Sequence, residues 1–366
     1  MVKIGTLTLH YPYNYGSALQ AFALQKELEH LGYDSEIINY ICEYDFENYK
    51  IFRFHQYFKR PKTMISDLVY LRKNLKRRRA FKAFTVSHLK VTKKRYRNSH
   101  NLEQLNNCMD AFIVGSDQVW NFECTGGVDL VYFLNFVDSK HKKIAYAPSM
   151  GQSDQSERDL KTIKPMLEAF DELSVREKSK QSELERLVDR KFEVVLDPTL
   201  LLSRRDYIPL MTSEKEEEYI FVYLLEPNEE LVQYATNLAQ RSGLKVVYIS
   251  NITKKQIFKT VASENVYGVG PDEFLTKLHG ARYVVTNSFH ATIFSILFKK
   301  KFVTFKTKKS FPRMLDLLKR LGLEDRIMSS NFSMDKDIDF NSVDELLENL
   351  KKKSILFLRD ALSKID

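Results

Sequence analysis

The sequence predicts an α/β protein of two domains, and three observations lead to this fold class. The first 40 residues read as a strand, a helix and a second strand, which is the start of a β-α-β unit. The same alternation of strands and helices begins again after residue 202. A chain of 366 residues is long for one hydrophobic core and suits two domains of roughly 150 to 200 residues each.

The composition of the chain indicates its cellular compartment and bears on whether it binds a metal or a cofactor. The start of the chain runs straight into a strand pattern without the features of a secretion signal, and no later run approaches the ~20 apolar residues of a membrane span. Cys42, Cys108 and Cys124 are odd in number and lack the spacing of a metal site or of a disulfide framework. We therefore expect a cytoplasmic protein with reduced thiols, without a metal and without a cofactor.

The first β-α-β unit carries a candidate binding loop. Residues 3–9 predict a buried strand, residues 18–31 a helix that Gly32 ends, and residues 33–40 the second strand. The turn between the first strand and the helix contains Asn14, Tyr15, Gly16 and Ser17. These residues could offer amides and a helix N-terminus to a ligand, although the same residues also make a good plain turn. The absence of GxGxxG and P-loop patterns argues against a dinucleotide or ATP site.

A basic insertion then interrupts the α/β rhythm over residues 41–100. Between Lys50 and Arg97 there are 17 Lys or Arg residues against the single acid Asp67, so this segment carries +16. The remaining chain has 40 basic and 47 acidic residues, a balance of −7. Aromatic residues and an apolar stripe at helical spacing accompany the charge. The pattern fits an anionic membrane surface, a nucleic acid or a solvated helical hairpin, and of these we expect the membrane and no nucleic acid.

A second candidate loop follows the strand predicted at residues 111–114. It begins at Gly115, and its polar side chains are those that bind sugar hydroxyls, with a single Trp whose face could stack on a sugar ring. The alternative is a loop of residues that cap the end of a strand. The candidate acceptor-binding residues here are Ser116, Asp117, Gln118, Trp120 and Asn121.

The rest of the first domain is predicted to continue the alternation of strands and helices. Strands are predicted at residues 143–147, near residue 173 and at residues 192–196, with a helix at residues 156–170. Arg176 immediately follows one of these strands, and Pro198 ends another. We place the end of the first domain, residues 1–202, near Leu202.

The second domain is predicted to span residues 203–340. Its strands are predicted at residues 219–224, 245–249, 265–269, 283–286 and 301–305, and its main helices at residues 228–242 and 291–298. Ser342 and Glu345 have the spacing of a capping box that would begin a last helix within residues 341–366.

The most prominent candidate site lies at the start of the helix at residues 291–298. Asn287, Ser288, Phe289 and His290 come between a buried strand and that helix, where open α/β sheets bind ligands. His290 could give or take a proton near neutral pH. The alternative is a histidine that only bonds its neighbours at a helix start.

Four ordered motifs together resemble the polysaccharide pyruvyl transferase family. They are GSDQVWN from Gly115, SVREKS from Ser174, LDPTLLL from Leu196 and TNSFHATIFSILF from Thr286. The opening TLTLHYPYNYGSALQAFAL is also similar to the starts of its members. The resemblance covers most of the chain outside the basic insertion. It implies two Rossmann-like domains facing each other in a GT-B-like arrangement, with the C-terminal helix packing back on the N-terminal domain.

The resemblance also implies an activity. Pyruvate would move from phosphoenolpyruvate onto two hydroxyls of one sugar of a cell-surface polysaccharide or its precursor, forming a cyclic ketal and releasing phosphate. His290 would be the acid and base. Related enzymes have an Arg two residues before this His, where the present chain has Ser288. The donor-binding residues would then be Asn287, Ser288, Arg176 and the loop from Lys306 to Arg313. The loops at Asn14 to Ser17 and at Ser116 to Asn121 would bind the acceptor sugar or complete the donor site.

Two other functions remain open at this stage. One is a GT-B glycosyltransferase that uses a nucleotide sugar, and the other is a catalytically inactive, basic peripheral scaffold. The expected partners of the leading function are phosphoenolpyruvate, a sugar or lipid-linked glycan acceptor, and an anionic membrane surface bound through residues 50–97. The protein would then be cytoplasmic and peripheral at the inner membrane face.

Overall fold

The chain forms two compact units, each built on its own sheet. A computed structural model describes residues 2–11, 13–51, 61–151, 155–215, 217–250, 256–307, 311–363 and 365. The first unit contains Met1–Met64, Thr85–Leu201 and Glu348–Asp366, and the second contains Ile65–Phe84 and Leu202–Leu347. Both sheets are parallel and flanked by helices, so the predicted α/β class with two Rossmann-like domains is confirmed.

The sheet of the first unit has six parallel strands in the order β2-β1-β3-β4-β5-β6. Their bounds are β1 Lys3–Leu7, β2 Asp34–Ile37, β3 Ala111–Val114, β4 Lys142–Ala145, β5 Glu172–Val175 and β6 Glu193–Val194. The chain passes from β1 to β2 on one side and then returns to β3 on the other. The strand order therefore reverses between β1 and β3, which is where open α/β sheets form a ligand crevice.

The helices of the amino-terminal half differ widely in length. They are α1 Tyr15–His30, α2 Glu43–Asn48, α3 Pro61–Val69, α4 Leu71–His88, α5 Phe122–Thr125, α6 Glu157–Glu168 and α7 Lys178–Val188. The helix α1 begins at Tyr15, three residues earlier than predicted, because the Asn14 side chain accepts a hydrogen bond from Gly16 N at 2.9 Å and caps it.

The second unit has a five-stranded parallel sheet in the order β11-β10-β7-β8-β9. The strands are β7 Tyr219–Leu224, β8 Lys245–Ser250, β9 Ser263–Asn265, β10 Tyr283–Thr286 and β11 Lys301–Thr304. The helices from here to the end are α8 Arg204–Tyr207, α9 Glu229–Ser242, α10 Pro271–Gly280, α11 Phe289–Leu297, α12 Phe311–Arg320 and α13 Phe340–Leu362. The strand order reverses between β7 and β10, so this unit has a crevice position of its own.

The burial of β3, β7 and β10 explains why these strands could be predicted from the sequence. Every residue of β3, β7 and β10 is buried, as expected for parallel strands that are covered on both faces. Such strands appear as continuous apolar runs, which the sequence contains at these positions.

Two predicted boundaries were wrong for local reasons. The strand expected at residues 265–269 ends at Asn265, because its side chain accepts from Tyr267 N at 3.0 Å and turns the chain. The last helix begins at Phe340 rather than at a Ser342 capping box. Asp339 performs that role, since its carboxylate accepts from Asn341 N at 3.1 Å and from Ser342 Oγ at 2.6 Å.

The basic insertion is divided between the two units. Residues 65–84 belong to the second unit, although the whole insertion was predicted in the first domain. The reason is a contact made by α4. Arg77 is 4% exposed, donates to the carbonyl of Tyr267 at 3.0 Å and lies 4.6 Å from the centre of its ring. Residues 52–60 lie outside the described part of the chain.

Within the described ranges, no helix is both long enough and apolar enough to cross a bilayer.

A buried carboxyl group lies on the short helix α2. Asp45 is 6% exposed, and its backbone N–H donates to Cys42 Sγ at 3.5 Å. Nearby, the hydroxyl of Tyr40 donates to Asp129 at 2.6 Å. Burial, reinforced by the negative charges of Asp117 and Asp129, raises the pKa of Asp45 to about 7.

This pKa predicts a pH-dependent gain of stability in Asp45→Asn. The folded protein keeps Asp45 protonated up to about pH 7, whereas the ordinary Asp pKa is 3.8. The cost of ionising the buried carboxyl is therefore absent below about pH 4 and complete above about pH 7. We expect the variant to gain about 1 to 4 kcal/mol in the free energy of unfolding at pH 8, and little at pH 4.

Urea unfolding at both pH values measures this difference. Glu43→Gln is the matched control, because Glu43 lies on the same helix and is exposed. An equal effect of Asp45→Asn at pH 4 and pH 8 would contradict the assignment of the raised pKa.

Candidate functional site

Each unit has a cluster of polar side chains at the carboxyl ends of its strands, close to the point where the strand order reverses. In the second unit the cluster surrounds the start of α11. In the first unit it involves the loops that follow β1, β3, β4 and β5. The two clusters are described separately.

His290 occupies the second position of α11, directly after β10. Ser288 is the N-cap, because its side-chain oxygen accepts from Ala291 N at 3.4 Å and its carbonyl from Thr292 N at 3.0 Å. Ser288 is therefore used to begin the helix. The imidazole of His290 is half-buried and lies beside the ring of Phe289, with 5.3 Å between ring centres. This placement puts His290 at the crevice edge of the second sheet.

Asn287 fixes the turn that carries His290. It is fully buried, its Oδ1 accepts from Leu225 N at 2.8 Å and its Nδ2 donates to the carbonyl of Glu226 at 2.8 Å. The side chain thus joins the end of β10 to the end of β7. Since backbone groups engage both ends of the amide, the prediction that Asn287 binds the donor is replaced by a positioning role.

Two cations lie near this turn. Arg313 is in the first turn of α12, and its guanidinium carbon lies 5.5 Å from the ring centre of Phe289. Lys306 is exposed, and its ammonium lies 5.4 Å from the ring centre of Phe311. Phe289 contacts both His290 and Arg313, so the structure brings a predicted acid and a predicted cation to the same aromatic ring. Residues 308–310 of this predicted loop lie outside the described residues.

In the first unit, the two predicted acceptor loops meet. Asn14 caps α1, Tyr15 and Gly16 are buried in its first turn, and Ser17 donates a hydrogen bond to Asp117 Oδ2 at 2.5 Å. This bond connects the loop after β1 to the loop after β3. The structure therefore groups residues that are 100 positions apart in the sequence.

Asp117 also has an unusual backbone conformation. Its φ is 77°, in the left-handed region that non-glycine residues seldom adopt. The carbonyl of Asp117 accepts from Ser149 N at 2.9 Å, which ties the β3 loop to the β4 loop. Ala147, two residues after the end of β4, has a φ of 54°. Strained residues of this kind concentrate at functional sites, and here two of them lie in the loops that follow neighbouring strands.

Asp197 is the centre of a buried ionic network. Its Oδ2 accepts from Arg176 Nη1 at 2.7 Å and from Ser116 Oγ at 3.2 Å, and its Oδ1 accepts from Thr199 Oγ1 at 2.6 Å. Glu177 Oε1 lies 3.6 Å from Arg176 Nε. Burial opposes the charge of Arg176, but the carboxylates of Glu177 and Asp197 outweigh it and raise the pKa of the guanidinium.

This network corrects the role predicted for Arg176. The residue is 4% exposed and its charge is balanced by two carboxylates. A trianionic donor needs an accessible cation, so the donor-binding prediction for Arg176 does not fit this arrangement. Arg176 instead holds the ends of β3 and β5 to the segment after β6.

The predicted stacking role of Trp120 does not fit either. The side chain is fully buried, stacks on Phe133 with 5.2 Å between ring centres and donates from Nε1 to the carbonyl of Tyr132 at 2.9 Å. Its ring belongs to the core and presents no face to a sugar. Asn121 caps α5 and donates from its amide to Gln118 Oε1 at 2.7 Å, while Gln118 is half-buried.

Sequence reasoning missed Asp197, Glu177 and Ser149. Ser149 donates a short hydrogen bond to Glu177 within the same buried network. A signal was present, because Asp197 and Glu177 both lie inside motifs that were recognised as a group. Their contacts with Arg176 could not be predicted from the sequence, since they depend on three strands that end side by side in the fold.

The potential metal ligands were also compared in space. Across the ranges that the structure describes, His, Cys, Asp and Glu side chains form no group of three or more that could hold a metal ion.

The ionic network predicts that Arg176→Met destabilises the first unit. The substitution leaves Asp197 buried without its cation, and breaking a buried pair in this way costs about 3 to 5 kcal/mol. The double variant Arg176→Met, Asp197→Asn removes both charges and should recover a large part of the loss. Urea unfolding measures all three proteins, with the exposed Arg158→Met as control. A loss below about 1 kcal/mol in Arg176→Met would contradict the network.

The fold is shared with sugar-nucleotide enzymes of known structure. The UDP-GlcNAc 2-epimerase of Methanocaldococcus jannaschii, solved with UDP-GlcNAc and UDP, has 12% sequence identity and a TM-score of 0.51, covering 96% of this chain and 92% of that chain. The enzyme of the same name from Rickettsia bellii has 10% identity and a TM-score of 0.51, covering 100% and 97%. At these identities the similarity shows the GT-B-like fold alone.

The sequence itself was compared with known proteins and families. No curated protein matches it. The model of the family described as polysaccharide pyruvyl transferase matches residues 14–309, which include both polar clusters and the turn that carries His290. The chain therefore belongs to the polysaccharide pyruvyl transferase family and is a transferase.

Proposed function

We propose that the protein transfers the pyruvyl group of phosphoenolpyruvate to two hydroxyls of one sugar, forming a cyclic ketal on a cell-surface polysaccharide or its precursor. The observation that carries this proposal is the placement of His290 at the crevice edge of the second sheet, in a chain of the pyruvyl transferase family. Within that turn, His290 is the acid and base, and Lys306 and Arg313 bind the donor.

The negative charges of phosphoenolpyruvate determine which groups can bind it. Phosphoenolpyruvate carries a phosphate and a carboxylate, and both need cations or backbone N–H groups. The first turn of α11 provides N–H groups that have no preceding helical carbonyl to bond. Arg313 provides a forked cation next to Phe289, and Lys306 an exposed point charge. This arrangement supplies the positive charge that Ser288 lacks.

The transfer requires one proton at carbon and two new C–O bonds. His290 gives a proton to the methylene carbon of phosphoenolpyruvate, which makes the adjacent carbon open to attack. One sugar hydroxyl adds to that carbon, and the bond to the phosphate oxygen then breaks as the second hydroxyl adds. The two hydroxyl protons replace the one that His290 gave and protonate the released phosphate. The sequence of steps is balanced without an oxidant or a reductant.

The acceptor sugar lies at the first unit in this proposal. Asn14 and Gln118 are half-buried at the loops after β1 and β3, and the hydrogen bond from Ser17 to Asp117 joins these two loops. Amide and carboxylate groups bind sugar hydroxyls. No metal or cofactor takes part.

A product assay separates this proposal from its rivals. The protein is incubated with phosphoenolpyruvate and a panel of nucleotide-linked and lipid-linked sugars, and the products are measured by mass and by release of inorganic phosphate. Addition of a pyruvyl group with phosphate release supports the proposal. Release of a nucleotide diphosphate supports a nucleotide-sugar glycosyltransferase instead. No product with any acceptor supports an inactive scaffold.

His290→Gln should lower kcat by about 10² to 10⁴, because glutamine cannot give a proton to the enol carbon. Its KM for phosphoenolpyruvate should change little. Arg313→Gln should show the opposite pattern, with a raised KM, since a trianion loses a paired cation. Steady-state phosphate release measures both variants.

The matched control is His100→Gln, since His100 is an exposed histidine of the first unit. Thermal unfolding with and without phosphoenolpyruvate shows whether each variant still folds and binds the donor. Near-normal kcat in His290→Gln would exclude the proton-transfer role.

The second part of the proposal is that the protein acts in the cytoplasm, docked on an anionic membrane surface by its basic insertion. The helix α3 supports this idea with large apolar side chains that are exposed: Met64 45%, Ile65 60%, Leu68 56% and Val69 68%. Positions 64, 65, 68 and 69 lie along one face of a helix. An exposed apolar face next to basic residues is typical of helices that lie in a membrane interface.

The cations of α4 complement that face. Arg72, Lys73 and Arg79 are exposed, whereas Arg77 is buried against Tyr267. The charge available to a membrane is therefore smaller than the sequence count suggests. An anionic surface attracts each nearby Lys or Arg by about 1 kcal/mol.

Replacing Arg72, Lys73 and Arg79 together by Gln should weaken binding to anionic vesicles roughly 10- to 100-fold. A second variant, Ile65→Gln with Leu68→Gln, should weaken it through lost apolar insertion. Vesicle co-sedimentation at moderate salt measures both. The control replaces three exposed cations of the first unit, Arg158, Lys161 and Lys191, by Gln.

Turnover on a soluble acceptor should stay unchanged in the docking variants. Binding that is equal on neutral and anionic vesicles, or that prefers short DNA, would exclude a membrane-docking role. A dimer that dissociates in the Ile65→Gln, Leu68→Gln variant would assign the apolar face to a second copy of the chain.

A further inference from the structure

Three tyrosine rings meet at the carboxyl edge of the first sheet. Tyr11 and Tyr13 lie in the loop between β1 and α1, and Tyr49 follows the end of α2. The ring centres of Tyr11 and Tyr13 are 6.2 Å apart, those of Tyr11 and Tyr49 6.4 Å, and those of Tyr13 and Tyr49 5.7 Å. All three side chains are half-buried. The cluster is thus an aromatic surface that solvent reaches, in contrast to the buried Trp120.

One arginine borders this tyrosine cluster, and a second lies against the helix α2 that precedes Tyr49. The guanidinium carbon of Arg95 lies 5.9 Å from the ring centre of Tyr11. That of Arg97 lies 3.4 Å from the ring centre of Phe46, on the same helix as Asp45. Both arginines are exposed, and within the described part of the first unit neither forms an ion pair with a carboxylate. Their charge is available to an anion.

Two carboxyl groups are connected to the same region. Asp45 precedes Tyr49 by one helical turn, and its carbonyl accepts from Tyr49 N at 2.9 Å. Asp117 is close enough to Asp45 for its charge to act on that carboxyl, and Ser17 joins Asp117 to the first turn of α1. Hydrogen-bond acceptors, an aromatic surface and unpaired cations therefore lie in one region of one unit.

We propose that the tyrosine cluster of Tyr11, Tyr13 and Tyr49, with Arg95 at Tyr11 and Arg97 at the neighbouring helix α2, binds a pyranose ring that carries a phosphate or diphosphate. The C–H face of a pyranose packs on aromatic rings, and its hydroxyls can bond to the phenol groups of tyrosines. Arginine pairs with phosphate oxygens through two parallel hydrogen bonds. An uncharged oligosaccharide would use the tyrosines but would leave both arginines without a partner.

The identification of this sugar as the acceptor rests on the proposed function, whereas the binding site itself does not. A sugar phosphate, a nucleotide diphosphate sugar and a lipid diphosphate sugar share the chemistry that the site would recognise. The lipid-linked form would also bring the sugar to a membrane surface. The experiment therefore includes all three sources.

Binding is measured by calorimetry in the absence of phosphoenolpyruvate, with hexoses, hexose 1-phosphates, UDP-hexoses and a polyprenyl diphosphate sugar in detergent. The wild type should bind phosphorylated sugars at least 10-fold more tightly than the matching free sugars. The double variant Arg95→Gln, Arg97→Gln should abolish that preference. Tyr13→Ala and Tyr49→Ala should each weaken binding of every sugar about 10-fold.

The controls are matched by residue type. Tyr33→Ala removes a half-buried tyrosine that comes just before β2, at the amino-terminal ends of the strands of the same sheet. Arg158→Gln removes an exposed arginine of α6. Both should bind like the wild type. Tyrosine variants that bind like Tyr33→Ala would overturn the site, as would a wild type that binds no sugar of the panel.

The outcomes also separate this site from the proposed function. Sugar binding that depends on the tyrosines, without any pyruvyl transfer, would retain the site and remove the proposed function. Pyruvyl transfer that is insensitive to Tyr13→Ala and Tyr49→Ala would retain the function and remove the site. Among phosphorylated sugars, the tightest binder identifies the carrier: a nucleotide, a lipid or neither.

Discussion

The buried contact between Arg176 and Asp197 is the interaction on which the functional edge of the first unit depends. The pair is 2.7 Å apart and almost free of solvent, so its desolvation cost is high and its geometry must be well satisfied. Asp197 meets this requirement by also accepting from Ser116 and Thr199. The ends of β3 and β5 and the segment after β6 are consequently held in one arrangement. The loop that contains Asp117 starts from that fixed point.

The second unit fixes its own edge with neutral groups. The amide of Asn287 bonds to two backbone groups beyond β7, and the hydroxyl of Thr286 donates to the carbonyl of Tyr223 at 2.8 Å. These contacts hold the turn that presents His290. The cations Lys306 and Arg313 lie beside aromatic rings, Lys306 at Phe311 and Arg313 at Phe289.

The sequence was sufficient to predict most of the strands and helices and the place of His290 after a buried strand. The strands β3, β7 and β10 are continuous apolar runs, and His290 follows one of them, so both could be read from local pattern. Roles that depend on which side chains are in contact could not be predicted from the sequence. Arg176 and Trp120 have the chemistry of binding residues, but burial gives them structural partners. The tyrosine cluster joins two separate segments, and only the fold brings them together.

The division of the chain has a consequence for the order in which the protein folds during synthesis. The first unit ends at Leu201 but also includes residues 348–366, where Ser354 accepts a hydrogen bond from Leu196 N at 2.9 Å. The amino-terminal part of this unit therefore cannot contact residues 348–366 until about 150 further residues have been synthesised. At ordinary rates of translation this takes roughly 10 to 30 seconds. All residues of the second unit, which ends at Leu347, have been synthesised before residues 348–366 emerge. A nascent chain thus passes through a stage in which the strand end near Leu196 lacks its last partner, and chaperones would meet it there.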